Sequence, residues 1–251
     1  MARFIKNQLR GAVGPVNFRN VKGRLIVSAK VAPGTKKQTK ASVVTADNFG
    51  KASATGMQIR ASYHQQIVQL PDGEMHRRLN KEFIAIYNSD LHKESGTFHF
   101  NADSFSALTN FEFNDKSRLK NRMIVQPDFV LEDGKLSLSF PNDKERKFLK
   151  FPANASACEL CIAVTYLKMD DRTCLRKPLL AEIIVEKDNN QPMGQYFTFD
   201  VPEGCVFLLS IFLKFNNSPI VKNYKNQNAG AICYTIFSPG TYSGEVINRW
   251  H

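Results

Sequence analysis

The chain has 251 residues, 43% hydrophobic and 23% charged, with 34 Lys and Arg against 23 Asp and Glu for a formal charge of +11. That composition is ordinary globular material, long enough to bury a core without disulfide staples, and it excludes a disordered polyelectrolyte. The charge is local: residues 1–60 hold twelve bases and one acid, Asp47, whereas the rest of the chain carries 22 of each sign.

In chain order, residues 1–10 (MARFIKNQLR) lack the apolar centre of a secretory signal, so an unprocessed cytoplasmic protein is expected. Val16-Asn17-Phe18 and Leu25-Ile26-Val27 flank the turn material Asn20-Val21-Lys22-Gly23 and predict a β-hairpin. Gly11, Gly14 and Pro15 precede it, and Pro33-Gly34 closes it. Ala46, Phe49, Ala52, Gly56, Ile59 and Tyr63 recur at steps of three or four, which predicts a helix over 39–65 with a stripe of small residues. Lys40 and Lys51 project from its opposite side. Gly50 and Gly56 each weaken such a helix by about 1 kcal/mol, so it depends on packing partners.

After the turn Pro71-Asp72-Gly73, the spacing of Leu79, Phe83, Ile86 and Tyr87 predicts a second helix. His76-Arg77-Arg78 at its start opposes the helix dipole and points to some other contact. A short helical turn is predicted over 104–108, with Asp103 or Ser104 as its cap. From about residue 110 the period becomes two, and strands are predicted around 111–113, 123–125, 129–131, 135–140, 147–151, 158–167, 179–185, 196–201, 205–215 and 232–236. Asp133-Gly134, Pro141-Asn142-Asp143, Pro202-Glu203-Gly204 and Pro239-Gly240 separate several of them. The fold class expected is mainly β: a basic hairpin-plus-helix head (1–65), a helical connector (66–110) and an antiparallel immunoglobulin-like β-sandwich (111–251). The Cys…Trp…Cys signature of antibody domains is missing, because the single Trp is Trp250.

No catalytic constellation stands out. Cys158-Glu-Leu-Cys161 is formally C-x-x-C, but Cys158, Leu160, Ile162, Val164 and Tyr166 share one face of a strand and Cys161 points to the other. Cysteines 158, 161, 174, 205 and 233 lie mostly in apolar runs and read as inert thiols of a reducing compartment. Histidines 64, 76, 92, 99 and 251 form no ligand pattern, although His92 and His99 could face each other across Gly96. Neither a nucleophile elbow nor a phosphate-binding loop is present. A non-enzymatic protein without cofactor or metal is the expectation.

The basic head is the one feature above background. Its candidate contact residues are Arg3, Lys6, Arg10, Arg19, Lys22, Arg24, Lys36, Lys37, Lys40 and Lys51. Two readings compete. In the first, the head is an assembly arm that docks on a protein subunit, of its own kind or another, in a larger structure. In the second, residues 1–60 bind DNA or RNA without sequence preference, by releasing counterions from phosphates. Apolar periodicity and Gly/Pro turns favour the first, since a plain polycationic tail needs neither. Base stacking is disfavoured, because Phe4, Phe18 and Phe49 are the head's only aromatics. Residues 216–230 (NNSPIVKNYKNQNAG), with Lys222, Tyr224 and Lys225, read equally as a recognition loop or a flexible connection. No run is long and apolar enough for a membrane span.

Gly11-Ala-Val-Gly14-Pro-Val16, then Val21-Lys-Gly23-Arg-Leu-Ile-Val27, then Pro33, Gln38 and a helix with Phe49, resembles a family of short uncharacterised Bacteroidota proteins. Those proteins open with a Gly-rich hairpin of the form GxxGxV, followed by GKxxVRxxP and TxxQ…F. The closing ICYTIFSPGTYSGEV is similar to that family's last strands. Ser28-Ala29-Lys30 stands where the family has its Arg-x-x-Pro approach. The resemblance implies a β-rich fold without a signal peptide, and it assigns no activity and no functional residues.

Overall fold

A computed structural model describes residues 3–5, 8–21, 23–30, 39–91, 97–143, 145–169, 174–191, 194–216 and 225–243. Among these residues it is mainly β, with three antiparallel sheets and four α-helices. The chain divides into two compact units, Met1–Ala46 and Asp47–His251.

The first unit is a meander of β1 (Arg3–Ile5), β2 (Gln8–Val13), β3 (Val16–Val21) and β4 (Arg24–Ala29), each strand antiparallel to the one before it. A two-residue loop makes the corner between β2 and β3. Val13 pairs with Val16 across Gly14-Pro15, and Gly14 takes φ +55°, the positive value that a tight hairpin loop demands. Val21 pairs with Arg24 around Gly23, whose N–H donates to Asn20 Oδ1 at 2.9 Å.

Helix α1 (Lys40–Ser62) begins in the first unit and ends in the second. The second unit continues with α2 (His64–Ile67), α3 (Met75–Ser89), a 3-10 turn over Ser106–Leu108 and α4 (Leu119–Arg122). Seven strands follow: β5 (Asp128–Glu132), β6 (Lys135–Ser139), β7 (Ala157–Leu167), β8 (Cys174–Glu186), β9 (Tyr196–Asp200), β10 (Cys205–Asn216) and β11 (Ala229–Ser238). They form one sheet in the order β11-β10-β7-β8 and another in the order β5-β6-β9. Asp133 and Gly134, both at positive φ, join β5 to β6 through a two-residue loop.

The larger sheet is covered on both faces. Leu160, Ile162 and Val164 of β7, with Phe207, Leu209 and Ile211 of β10, pack with Leu136, Leu138 and Phe199 of the smaller sheet. Ala163 and Leu167 of β7 and Val206, Leu208 and Phe212 of β10 turn the other way, into a second core with Ile59 and Tyr63 and with Leu79, Phe83 and Ile86 of α3. Helices, large sheet and small sheet thus form three layers. The helices over 64–89 share a core with the strands rather than linking separate bodies.

Tyr63, fully buried, fastens the helical layer: its hydroxyl donates to the Leu208 carbonyl at 3.0 Å and its ring meets Phe113 and Phe212 edge-on. Residues 110–113 cover the β11 edge, with Asn110 N–H donating to Ile232 O (2.7 Å) and Phe113 N–H to Gly230 O (2.7 Å). At the other edge, no strand flanks β8 among the described residues.

Candidate docking surface

The ten bases of residues 1–46 stand with no acid at all, leaving 24 bases and 23 acids for residues 47–251. The charge block therefore coincides with the first unit. Strand pairing divides it into faces. In the β1–β2 hairpin, Phe4 pairs with Leu9 on one side and Arg3 pairs with Arg10 on the other. Through β3 and β4, Val16 pairs with Ala29, Phe18 with Val27 and Asn20 with Leu25 on one side. Asn17 with Ser28, Arg19 with Ile26 and Val21 with Arg24 occupy the reverse. Each ladder thus gathers most of its large apolar side chains on one side, with Asn20 among them, and carries its arginines on the other beside Ile5, Val21 and Ile26.

No described residue of this sheet is buried. Phe4 is 72% exposed, Val13 51%, Leu25 53% and Val27 55%. Among the described residues of the unit no second layer covers the apolar side, although sheets of globular domains gain their stability by packing such a side on another layer. The cationic side carries an opposite cost. Arg3 and Arg10 sit directly across from each other, and like charges in that position are destabilising.

Of the residues expected to make contact, Arg3, Arg10, Arg19 and Arg24 are on the strands and Lys40 opens α1. Lys51 belongs to the second unit, where it pairs with Asp47 at 2.7 Å and its ammonium lies 4.5 Å from the Phe98 ring centre. Lys6, Lys22, Lys36 and Lys37 lie outside the described residues.

For the loop over 216–230, Lys222 and Tyr224 lie outside the described residues, and Lys225 begins a 3-10 turn over Lys225–Gln227. Its far end is tied into the second unit. Buried Asn228 accepts from Phe215 N–H through Oδ1 (3.0 Å), and its own carbonyl accepts from Asn114 Nδ2 (2.8 Å). Gln227 accepts from Ser117 Oγ at its carbonyl (2.8 Å) and from Arg122 at its side chain.

The second unit offers two shallower possibilities. A cleft of about 170 Å³ is lined by Gln65, Gln66 and Gln69 with Glu159, Cys161 and Lys214. Two of its charges engage each other, Lys214 with Glu159 at 2.7 Å, and Asn216 Nδ2 donates to the same carboxylate at 2.5 Å; Glu182 lines the cleft as well. A wider depression of about 480 Å³ surrounds Glu112, among Arg78, Lys81, Arg118 and Lys120. Burial pushes the Glu112 carboxyl up, against the N–H groups of Leu119 and Lys120 and the charges of Arg118 and Lys120. The Leu119 N–H donates to it at 2.7 Å at the start of α4, so this carboxylate serves as a helix cap.

The contact that the basic start of α3 called for is here as well. Arg78 bonds Asp72 at 2.6 Å and the Glu112 carbonyl at 2.8 Å, and its guanidinium lies 5.2 Å from the Phe111 ring centre. Sequence reading placed Asp72 only in a turn. The signal for more was its spacing from Arg78, which a loop and the first helical turn bring together.

The thiols do not form a reactive pair. Cys158 packs with the small-sheet core and Cys161 with the helical core. Burial raises the Cys158 thiol strongly and pushes Cys161 up to about 11, and Cys205 and Cys233 up to about 12, so these sulfurs stay protonated at neutral pH. Among the described residues no group of three His, Cys, Asp or Glu is placed to hold a metal ion. Among them, too, no helix is long and apolar enough to cross a membrane. His92 lies outside the described residues; His99 Nε2 is 3.1 Å from Thr97 Oγ1.

No protein-family model matches the chain, and a search of curated proteins finds none significantly similar to it.

Proposed function

We propose that the protein is a non-enzymatic component of an assembly, and that residues 1–46 are its docking module. One observation carries this reading: a sheet with a largely apolar side, whose Val13, Leu25 and Val27 are each about half exposed. Covering them together with Phe4 is worth roughly 3–6 kcal/mol, taking half the full burial value of each side chain. A second copy of the same side is a fitting layer, because stacked sheets interdigitate and a two-fold contact uses one patch twice. The arginines then lie on the outer sides.

We infer further that β5–β11 are an immunoglobulin-like sandwich acting as the carrier. The support is strand order: hairpins β5–β6, β7–β8 and β10–β11, with crossings between sheets after β6, β8 and β9. In the same spirit, the resemblance to the Bacteroidota hairpin proteins fits a β-rich module without an activity of its own.

Sedimentation velocity of the full chain and of a Leu25→Lys/Val27→Lys variant tests the docking reading. Self-association of the parent should be abolished by these substitutions, while Ile26→Lys, on the reverse side, leaves it intact. Equal association of all three proteins would reject the apolar side as the contact.

A further inference from the structure

We propose that the open edge of β8 receives an extended segment of a different protein, which joins the larger, four-stranded sheet as a further strand and carries alternating aliphatic and basic side chains. This goes beyond the docking reading, since it concerns the second unit and a partner that is not a copy of this chain. Three observations carry it.

The first is a template held in place. Residues 179–186 pair with 157–164 of β7 in unbroken register, and Ile183 and Val185 are buried in the core shared with the smaller sheet. Among the described residues no strand, and no backbone group outside β7, bonds to the far edge of this stretch. Pro178 offers no N–H and so sets the near limit of the stretch. Such a row of unpaired N–H and C=O groups is what an incoming strand pairs with.

The second is the side chains along that edge. Leu180 and Glu182 pair with Ala163 and Cys161 of β7, which lie in the core under the helices. No described residue of β8 joins that core, and Leu180 and Ile184 stand 44% and 67% exposed. Strand alternation sets Leu180, Glu182, Ile184 and Glu186 in one row, aliphatic and acidic by turns. Among the described residues neither carboxylate of the row has an ion-pair partner. A strand added about 4.8 Å away sets one of its own side chains against each member of the row. An aliphatic residue suits Leu180 and Ile184, and a Lys or Arg suits Glu182 and Glu186.

The third selects against a second copy. A copy of β8 laid antiparallel with Leu180 opposite Ile184 brings Glu182 against Glu182. Sliding it by two residues either way sets Glu182 against Leu180 or Ile184 instead. Charge and proline on this edge thus oppose self-pairing, while the same charge favours a basic strand.

The test is fluorescence anisotropy of the full chain with the labelled peptide Thr-Lys-Thr-Val-Thr-Lys-Thr-Val-Thr. It should bind saturably, and about tenfold more tightly than the same peptide with Glu in place of Lys. Glu182→Lys, an exposed position whose change should leave the circular dichroism unaltered, should weaken the Lys peptide about fivefold and strengthen the Glu peptide. Only alternate N–H groups of an added strand face β8. Methylating the backbone nitrogens of one alternate set, the Thr residues or the Lys and Val residues, should therefore abolish binding, and methylating the other set should preserve it.

Four outcomes would overturn the proposal: no saturable binding, equal affinity for the Lys and Glu peptides, indifference to Glu182→Lys, or equal tolerance of methylation in both sets. The Leu25→Lys/Val27→Lys variant should bind the Lys peptide as the parent does, whatever its own state of association, so the two readings fail separately.

Discussion

Asp72 anchors the loop before α3 through three bonds to one carboxylate: the N–H groups of Glu74 (2.9 Å) and Asp115 (3.2 Å) and the Arg78 guanidinium (2.6 Å). Burial alone would raise its pKa, but these donors and the Arg78 charge together hold it below the ordinary carboxylate value. Asp72→Asn keeps one acceptor, removes the charge and strands Arg78, at a cost of about 1–3 kcal/mol in urea unfolding at neutral pH. Because the folded pKa lies below the unfolded one, unfolding takes up a proton. The contribution is therefore whole above an unfolded value of about 3.9 and is lost as pH falls through the lower folded value. The parent should lose its advantage over Asp72→Asn progressively as the solution is acidified below about pH 4; a difference that did not shrink on acidification would contradict this.

Among the elements, α1 tests how packing decides the effect of a glycine. Gly50 has open space around it, so Gly50→Ala should stabilise by about 0.5–1 kcal/mol through helix propensity. Gly204, at φ +72° between β9 and β10, is the reverse case: an added methyl would meet the Tyr242 backbone nitrogen. Gly204→Ala should cost about 2–5 kcal/mol by thermal unfolding, strain and overpacking together. The same helix shows what was legible in the sequence. The apolar stripe read there includes Ala46 and Phe49, yet Phe49 is 55% exposed. Ala52, Gly56, Ile59 and Tyr63 of that stripe are buried, and Asn48, Thr55, Gln58 and Ser62 are buried beside them. The phase of the buried side follows hydrogen bonds to α3, Asn48 to Asn88 at 3.1 Å and Thr55 to Tyr87 at 2.9 Å, which a pattern of apolar residues does not register.

The strands were easier to read, since β6 alternates buried Leu136 and Leu138 with more exposed Lys135 and Ser137. In β7, Cys158 and Cys161 face different cores as alternation requires. A further clue lay in the apolar run over 205–213 of β10, interrupted only by Ser210. Such a run belongs to a strand covered on both faces, which places helices and a second sheet on either side of it. The sides of the first unit are another matter. They depend on strand register, where a slip of one residue exchanges Val27 for Ile26. Composition locates the charge, and only pairing shows that it is segregated from Phe4, Phe18, Leu25 and Val27.

For the whole molecule, the net charge belongs to a unit of 46 residues, and the remainder is close to neutral. The two cores of the second unit draw on residues from 52 onward. A chain of residues 40–251 should therefore unfold in one cooperative transition with a midpoint close to that of the full protein, as measured by calorimetry. A large drop would mean that the first unit supports the second. The two partners weighed for the basic residues of the first unit respond to salt with opposite signs. Contact between two like-charged copies through apolar sides strengthens as salt screens their repulsion, whereas contact with phosphates weakens. Multi-angle light scattering of the full chain over a range of concentrations, at about 0.05 M and about 0.5 M salt, tests the docking claim most directly. The account predicts an average mass that rises with concentration and rises further at the higher salt; a monomer under every condition, or a mass that falls as salt is added, would contradict it.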